Sequence, residues 1–278
     1  MPNHVTPSEV ANEICLKNDY SFDQEIGHGG FKHTYRVFTK EGLPWALKVF
    51  QNTAKTERTV REISAMTRCS HRGITKIASI SQINIDGDSY LYMIEEYVGG
   101  GTLTARLKQG IMSRDEVIDF GNQMIDIIDY ISSLGLVHRD IKPDNILFRD
   151  VGVSVVLTDF GIVRDLGEVS LTPTFLASAP GTHGFAAPEQ ETNQKNLENW
   201  RTDQFSCGIV FSLCALGMHP FGTTLLEAYQ AISTFGDTLP DFKTAIKTTG
   251  YYPIQKMVEV WPVNRYRLVQ DLRAAWNS

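Results

Sequence analysis

Apolar and polar positions change period along this chain, and the change divides it. Between residues 20 and 50, β-branched and aromatic runs such as Gln24-Glu25-Ile26 and Trp45 to Phe50 are broken by glycines, which predicts three strands of a twisted sheet. Residues 55–68 place Val60 and Ile63, with Met66 and Thr67, on one side at helical spacing and charges on the other, predicting one amphipathic helix. Tyr90 to Tyr97 predicts a further strand, and Gly99-Gly100-Gly101 after it marks a hinge. Beyond the hinge the period turns helical. Val117, Ile118, Gly121, Met124, Ile125, Ile128 and Ile131 share a broad apolar face over Asp115 to Leu134, while Thr202 to Leu216 is apolar nearly all round, as a buried central helix would be. The pattern predicts an α+β chain: an N-terminal extension at 1–19, a small β-rich lobe with one main helix at 20–98, and a larger, mainly α lobe at 99–278.

Composition narrows the partners. Hydrophobic residues make up 42% of the 278 positions and charged ones 21%, ordinary for a globular chain of one large domain or two moderate ones. A net charge of −6 with no dense Lys/Arg run argues against nucleic acid as a partner. Ile209 to Leu216 falls far short of the roughly 20 apolar residues that span a bilayer, so no membrane span is expected. The first residues lack the basic start and apolar core of a signal peptide. Cys15, Cys69, Cys207 and Cys214 have no metal-ligand spacing and read as reduced, packed thiols of a cytoplasmic protein. A chain exported into another cell by a dedicated machine would look the same.

The chemistry is concentrated in His138-Arg139-Asp140-Ile141-Lys142-Pro143-Asp144-Asn145, followed by Asp159-Phe160-Gly161. Moving a γ-phosphoryl group needs a carboxylate for the attacking hydroxyl, oxygen ligands for Mg²⁺ and positive charge near the transferred oxygens. Asp140, the pair Asn145 and Asp159, and Lys142 suit those tasks in turn. Upstream, Gly27, Gly29 and Gly30 let backbone N–H groups approach phosphate oxygens. Lys48 sits one strand later, where it can reach the α- and β-phosphates, and Glu62 on the following helix can hold it by an ion pair.

Gly27, Gly29, Phe31, Lys48, Glu62, the His138 to Asn145 run, Asp159-Phe160-Gly161, Ala187-Pro188-Glu189, Asp203 and Arg265 together make the chain resemble the eukaryotic-type Ser/Thr protein kinases over most of its length. The resemblance implies a bilobal protein-kinase-like fold and an ATP- and Mg²⁺-dependent enzyme, with Mn²⁺ as an alternative metal. It implies Asp140, Lys142, Lys48 and Glu62 as catalytic residues and Asn145 and Asp159 as metal ligands. Nucleotide contacts are implied at Ile26, Gly27, Gly29, Gly30, Phe31, Thr34, Ala46, Lys48, Glu96, Val98 and Leu147. Lys142 and Thr182 match the Ser/Thr class, so a protein substrate with a Ser or Thr acceptor is expected. Ser170, Thr172, Thr174, Ser178 and Thr182 are candidate autophosphorylation sites, with Arg139 placed to pair with such a phosphate. Asp203 is expected to accept hydrogen bonds from the catalytic-loop backbone, Glu189 to pair with Arg265, and His138 to be a packed core imidazole.

The chain departs from that family at two places of interest. Lys32 replaces the third loop glycine and is expected to point to solvent, the alternative being that it assists Lys48 at the phosphates, and Glu95 falls where an apolar or small residue usually lies behind the adenine pocket. A buried carboxylate at Glu95 requires a partner or an upward pKa shift, unless a one-residue register slip turns it outward. Two rival readings are a small-molecule kinase, which Ala187-Pro188-Glu189 argues against, and a silent kinase-fold scaffold, which the complete set of Lys48, Glu62, Asp140, Asn145 and Asp159 argues against.

Overall fold

The computed structural model describes residues 5–29, 32–50, 69–149, 154–159 and 184–278. They fall into two compact units, one holding the described residues up to 70 together with 75–97, the other holding 71–74 and those from 98 onward.

The first unit is a five-stranded antiparallel sheet with a helix on one face. Helix α1 (Pro7–Asn18) starts on a capping box in which the Glu9 N–H donates to the Thr6 hydroxyl at 3.3 Å and the Thr6 N–H donates to the Glu9 carboxylate at 2.7 Å. It stops where Asp19 turns left-handed at φ 59°. Strands β1 (Ser21–His28), β2 (Lys32–Phe38), β3 (Pro44–Phe50), β4 (Ile77–Ile85) and β5 (Asp88–Glu96) lie in the order β1-β2-β3-β5-β4. Asp86 and Gly87, both with positive φ (51° and 89°), form the two-residue turn that joins β4 to β5.

Period-two alternation gives the sheet two distinct faces. Tyr35, Val37, Leu47, Val49, Tyr92 and Ile94 point one way and pack under Val10, Ala11, Ile14 and Cys15 of α1. The segment set apart in the sequence as an extension is thus the cover of this face. Ala46 and Lys48 point the other way.

The second unit is helical around one short hairpin. Its helices are α2 (Leu103–Leu107), α3 (Arg114–Ser133), α4 (Pro188–Glu191), α5 (Trp200–Leu216), α6 (Leu225–Ser233), α7 (Pro240–Thr249), α8 (Tyr252–Met257) and α9 (Val269–Trp276). Helix α3 begins on a second capping box, Ser113 with Glu116, and buries Val117, Phe120, Gly121, Met124, Ile125, Ile127, Ile128 and Ile131. Ile118, expected on that face, is only half-buried, and the Trp276 indole N–H donates to its carbonyl oxygen at 3.1 Å. A Cβ at Gly121 would stand 2.3 Å from the Trp276 ring, so only glycine lets α9 approach α3 this closely. Helix α5 is buried almost all round, as its composition predicted.

Strands β6 (Ile146–Phe148) and β7 (Val155–Leu157) form the hairpin. Gly100 runs against it: its N–H donates to the Phe148 oxygen at 2.9 Å, and a Cβ there would sit 2.2 Å from that oxygen. Among the described residues no helix is long and apolar enough to cross a membrane.

Candidate active-site residues

In the second unit the loop after α3 turns back sharply at Arg139, whose φ of 69° is left-handed, a costly conformation for a residue with a side chain. Asp203, near the start of α5, holds that turn. Its Oδ2 accepts the His138 N–H at 2.7 Å and its Oδ1 the Arg139 N–H at 2.9 Å. Gln190 adds a third tie by donating to the Arg139 carbonyl at 3.0 Å. Burial pushes the Asp203 carboxyl up to about 7, against the pull of those two N–H groups.

His138 is fully buried, and burial lowers its pKa to about 4, so the ring is neutral near pH 7. Its Nδ1 accepts the Asp140 N–H at 3.3 Å, which leaves Nε2 as the N–H that donates to the Thr158 oxygen at 3.0 Å. The ring therefore braces the loop from inside.

Asp140 is gripped from two sides. Lys142 Nζ lies 3.1 Å from Asp140 Oδ2, and the Asn145 amide donates at 2.8 Å both to that same oxygen and to the Asp140 carbonyl. Because Asn145 spends its N–H₂ on Asp140, its Oδ1 is the atom left to act as a ligand. The β6–β7 register, with Ile146 opposite Leu157, sets Asn145 beside Thr158, whose N–H donates to the Asn145 backbone carbonyl at 3.0 Å. Asp159 follows immediately, with a left-handed φ of 61°. An amide oxygen and a carboxylate at neighbouring hairpin ends are the hard donors that Mg²⁺ takes, so these residues fit the ion. Leu147, between buried Ile146 and Phe148, faces the opposite way and is half-buried.

In the same unit Glu189 and Arg265 form a bidentate pair at 2.7 and 3.0 Å, both fully buried. The remaining guanidinium N–H groups donate to the carbonyls of Glu259, Arg201 and Val260 at 2.7 to 3.0 Å, so all five donors are occupied.

In the first unit Lys48 is 3% exposed and its ammonium meets Oε1 of Glu95, which is equally buried. Thr75 donates its hydroxyl to Oε2 of the same carboxylate at 3.3 Å. The register puts Glu95 opposite Ala46 and facing inward, so no slip turns it out, and the buried carboxylate has partners. Lys32 is half-buried rather than turned to solvent; it lies on the Lys48 face of the sheet, two positions from Thr34, which pairs directly with Lys48. Ile26 is 41% exposed, and among the described residues Cβ atoms at Gly27 and Gly29 would meet nothing within 4 Å. Glu96 and Val98 are half-buried. Gly30, Phe31, Glu62, Phe160, Gly161 and the five candidate phosphosites lie outside the described residues.

Two features escaped the sequence reading. The Lys48–Glu95 contact depends on register between distant strands. Helix α1, by contrast, had a local signal in Thr6-Pro7-x-Glu9 followed by Val10, Ala11, Ile14 and Cys15.

The chain is 28% identical over 291 residues to the serine/threonine-protein kinase RAD53 of Saccharomyces cerevisiae, covering 97% of this chain and 34% of that protein. It is 29% identical to CBL-interacting protein kinase 26 of Oryza sativa subsp. japonica, covering 94% of this chain and 52% of the relative. With CBL-interacting protein kinase 32 of the same plant it shares 30% identity, over 92% of this chain and 58% of the relative. The chain thus spans between about a third and three fifths of these relatives. A family model described as the protein kinase domain matches residues 20–276, and with the Asp140 loop and its Asp203 clamp in place the chain belongs to the protein kinase domain family.

Proposed function

We propose that the chain is a serine/threonine protein kinase that moves the γ-phosphoryl group of ATP to a Ser or Thr hydroxyl of a protein, with Mg²⁺ (or Mn²⁺) as the metal. The observation that carries this reading is Asp140, a carboxylate fixed by both Lys142 and Asn145 on a backbone turn that Asp203 clamps.

Asp140 orients the acceptor hydroxyl and takes its proton as the oxygen bonds to the γ-phosphorus and the bond to ADP breaks. Lys142, already in contact with Asp140, offers positive charge to the oxygens of the transferring group; a lysine here also favours Ser/Thr over tyrosine acceptors. Asn145 and Asp159 hold the metal, which when bound neutralises the β- and γ-phosphates. Lys48, in concert with Glu62, neutralises the α- and β-phosphates. Nucleotide contacts are assigned to Ile26, Gly27, Gly29, Gly30, Phe31, Thr34, Ala46, Glu96, Val98 and Leu147. The names of the relatives, all protein kinases, support a protein acceptor. Autophosphorylation at Ser170, Thr172, Thr174, Ser178 or Thr182 belongs to the same reading. Four buried, unbridged cysteines suit a cytoplasmic setting.

Purified wild type and Asp140→Ala are incubated with labelled ATP, Mg²⁺ and a generic protein substrate, followed by phosphoamino-acid analysis. Phosphoserine or phosphothreonine from wild type alone is expected; phosphotyrosine, or equal labelling by both proteins, overturns the reading.

A further inference from the structure

From the geometry we infer that Glu95 is a positioning residue for Lys48: a strand-borne carboxylate that fixes the lysine ammonium from within the sheet, in addition to any hold exerted by Glu62. The inference rests on the assignment of Lys48 to the nucleotide phosphates.

Strand register makes the contact. In the β3–β5 pairing Ala46 lies opposite Glu95 and Lys48 opposite Met93, so Lys48 and Glu95 are diagonal neighbours on one face, within reach of two long side chains. Ala46 contributes only a methyl group opposite Glu95, which leaves room for the ammonium and the carboxylate to converge above it. Leu47 and Ile94, the residues between them, point to the opposite face and are locked in the core under α1. A slip of one residue would bury Lys48 and Glu95 in that core and expel Leu47 and Ile94, so the packing that fixes the register also fixes the ion pair.

The carboxylate itself is anchored. Oε1 meets the Lys48 ammonium while Oε2 accepts from Thr75, which stands just before β4 and is 4% exposed. Both charged side chains are withdrawn from water, with 3% and 4% exposed, and a charge buried to that degree persists only with a partner. An ammonium held this way has a fixed origin on the sheet. A phosphate meeting Lys48 therefore finds its positive charge already placed, without first drawing in a freely rotating side chain whose ordering costs entropy.

The test is a double-mutant cycle read by binding of a fluorescent ATP analogue with Mg²⁺, on the full chain, alongside thermal melting and the labelled-phosphate assay. Glu95→Gln keeps the volume and an acceptor for Thr75 but removes the charge. In the Lys48 background it is expected to weaken binding about tenfold, and in the Lys48→Met background to change it less than about twofold, since contacting residues are coupled. Equal losses in both backgrounds would show that Glu95 acts by packing and overturn the inference. No loss, or tighter binding, in the Lys48 background also overturns it, the latter because Glu95 would then compete with phosphate. If the glutamine variant fails to melt cooperatively, Glu95→Asp, which keeps the charge on a shorter stem, is read through the same cycle. Wild type that binds the analogue but transfers no phosphate defeats the kinase reading and leaves the cycle to decide Glu95; wild type that binds none defeats both.

Discussion

Arg139 Nε stands 2.9 Å from Glu198 Oε2, with the N–H not aligned on that oxygen, so the two meet as charges and not as a well-formed hydrogen bond. The side chains are 33% and 12% exposed, which leaves the pair only partly screened. Arg139 is the residue from which the sequence predicted capture of a loop phosphate, and the structure places a carboxylate beside it.

Any phosphate arriving at Arg139 must therefore share or displace Glu198. Removing loop phosphate from wild type with a phosphatase is expected to lower kcat/KM by less than about threefold. In Glu198→Gln, where the guanidinium lacks that carboxylate, the same treatment is expected to cost about tenfold or more, the scale of one charge-assisted pair. Equal sensitivity in both proteins would show that Glu198 does not occupy the phosphate's place.

The Glu189–Arg265 pair makes a prediction about stability. With all five guanidinium donors engaged, Glu189→Ala strands a buried positive charge and is expected to cost about 3–5 kcal/mol in a urea titration. Replacing both partners by apolar residues of similar volume should cost less than the single change.

His219 supplies a pH dependence that can be isolated. Its Nε2–H donates to the Gly184 oxygen at 2.8 Å, its Nδ1 accepts the Phe221 N–H at 3.2 Å, and burial lowers its pKa to about 4. The unfolded chain protonates near pH 6.5 and the folded one only near 4, so the stabilisation is complete above 6.5 and is lost as pH falls through that window. At pH 5 the loss amounts to about 2 kcal/mol. His219→Gln should thus show a smaller fall in Tm between pH 7.5 and pH 5 than wild type, by a few degrees at most. An unchanged difference would remove His219 as a source of acid lability.

Ile14, on the inner face of α1, is completely buried among Tyr35, Leu47 and Ile94. Ile14→Ala is expected to destabilise the protein by about 2–5 kcal/mol in denaturant unfolding. Leu16, on the same helix but 74% exposed, should tolerate alanine with a change within about 0.5 kcal/mol.

The parts legible in the sequence were those whose causes are local. The Asp140 loop could be read because its acid, lysine and amide lie within a few residues, and α3 because its apolar stripe repeats every turn. Strand β4 was missed although Asp86-Gly87 announced a hairpin, since Ile77, Ile80, Ile83 and Ile85 do not keep a clean alternation and the β4–β5 register shifts between Ile77 and Ser79. The partners of Glu95 and Arg139 could not be read at all. Each contact joins segments far apart in the chain and depends on a register or a loop path that no local pattern encodes.

The Asn18 amide donates to the Tyr92 hydroxyl across 74 residues of chain, and the apolar side of α1 is covered by strands that end with β5. During synthesis the helix is therefore made long before its last partners exist. Tyr35 and Leu47 reach Val10 and Ile14 first, but the core between α1 and the sheet cannot be completed until Ile94 has emerged.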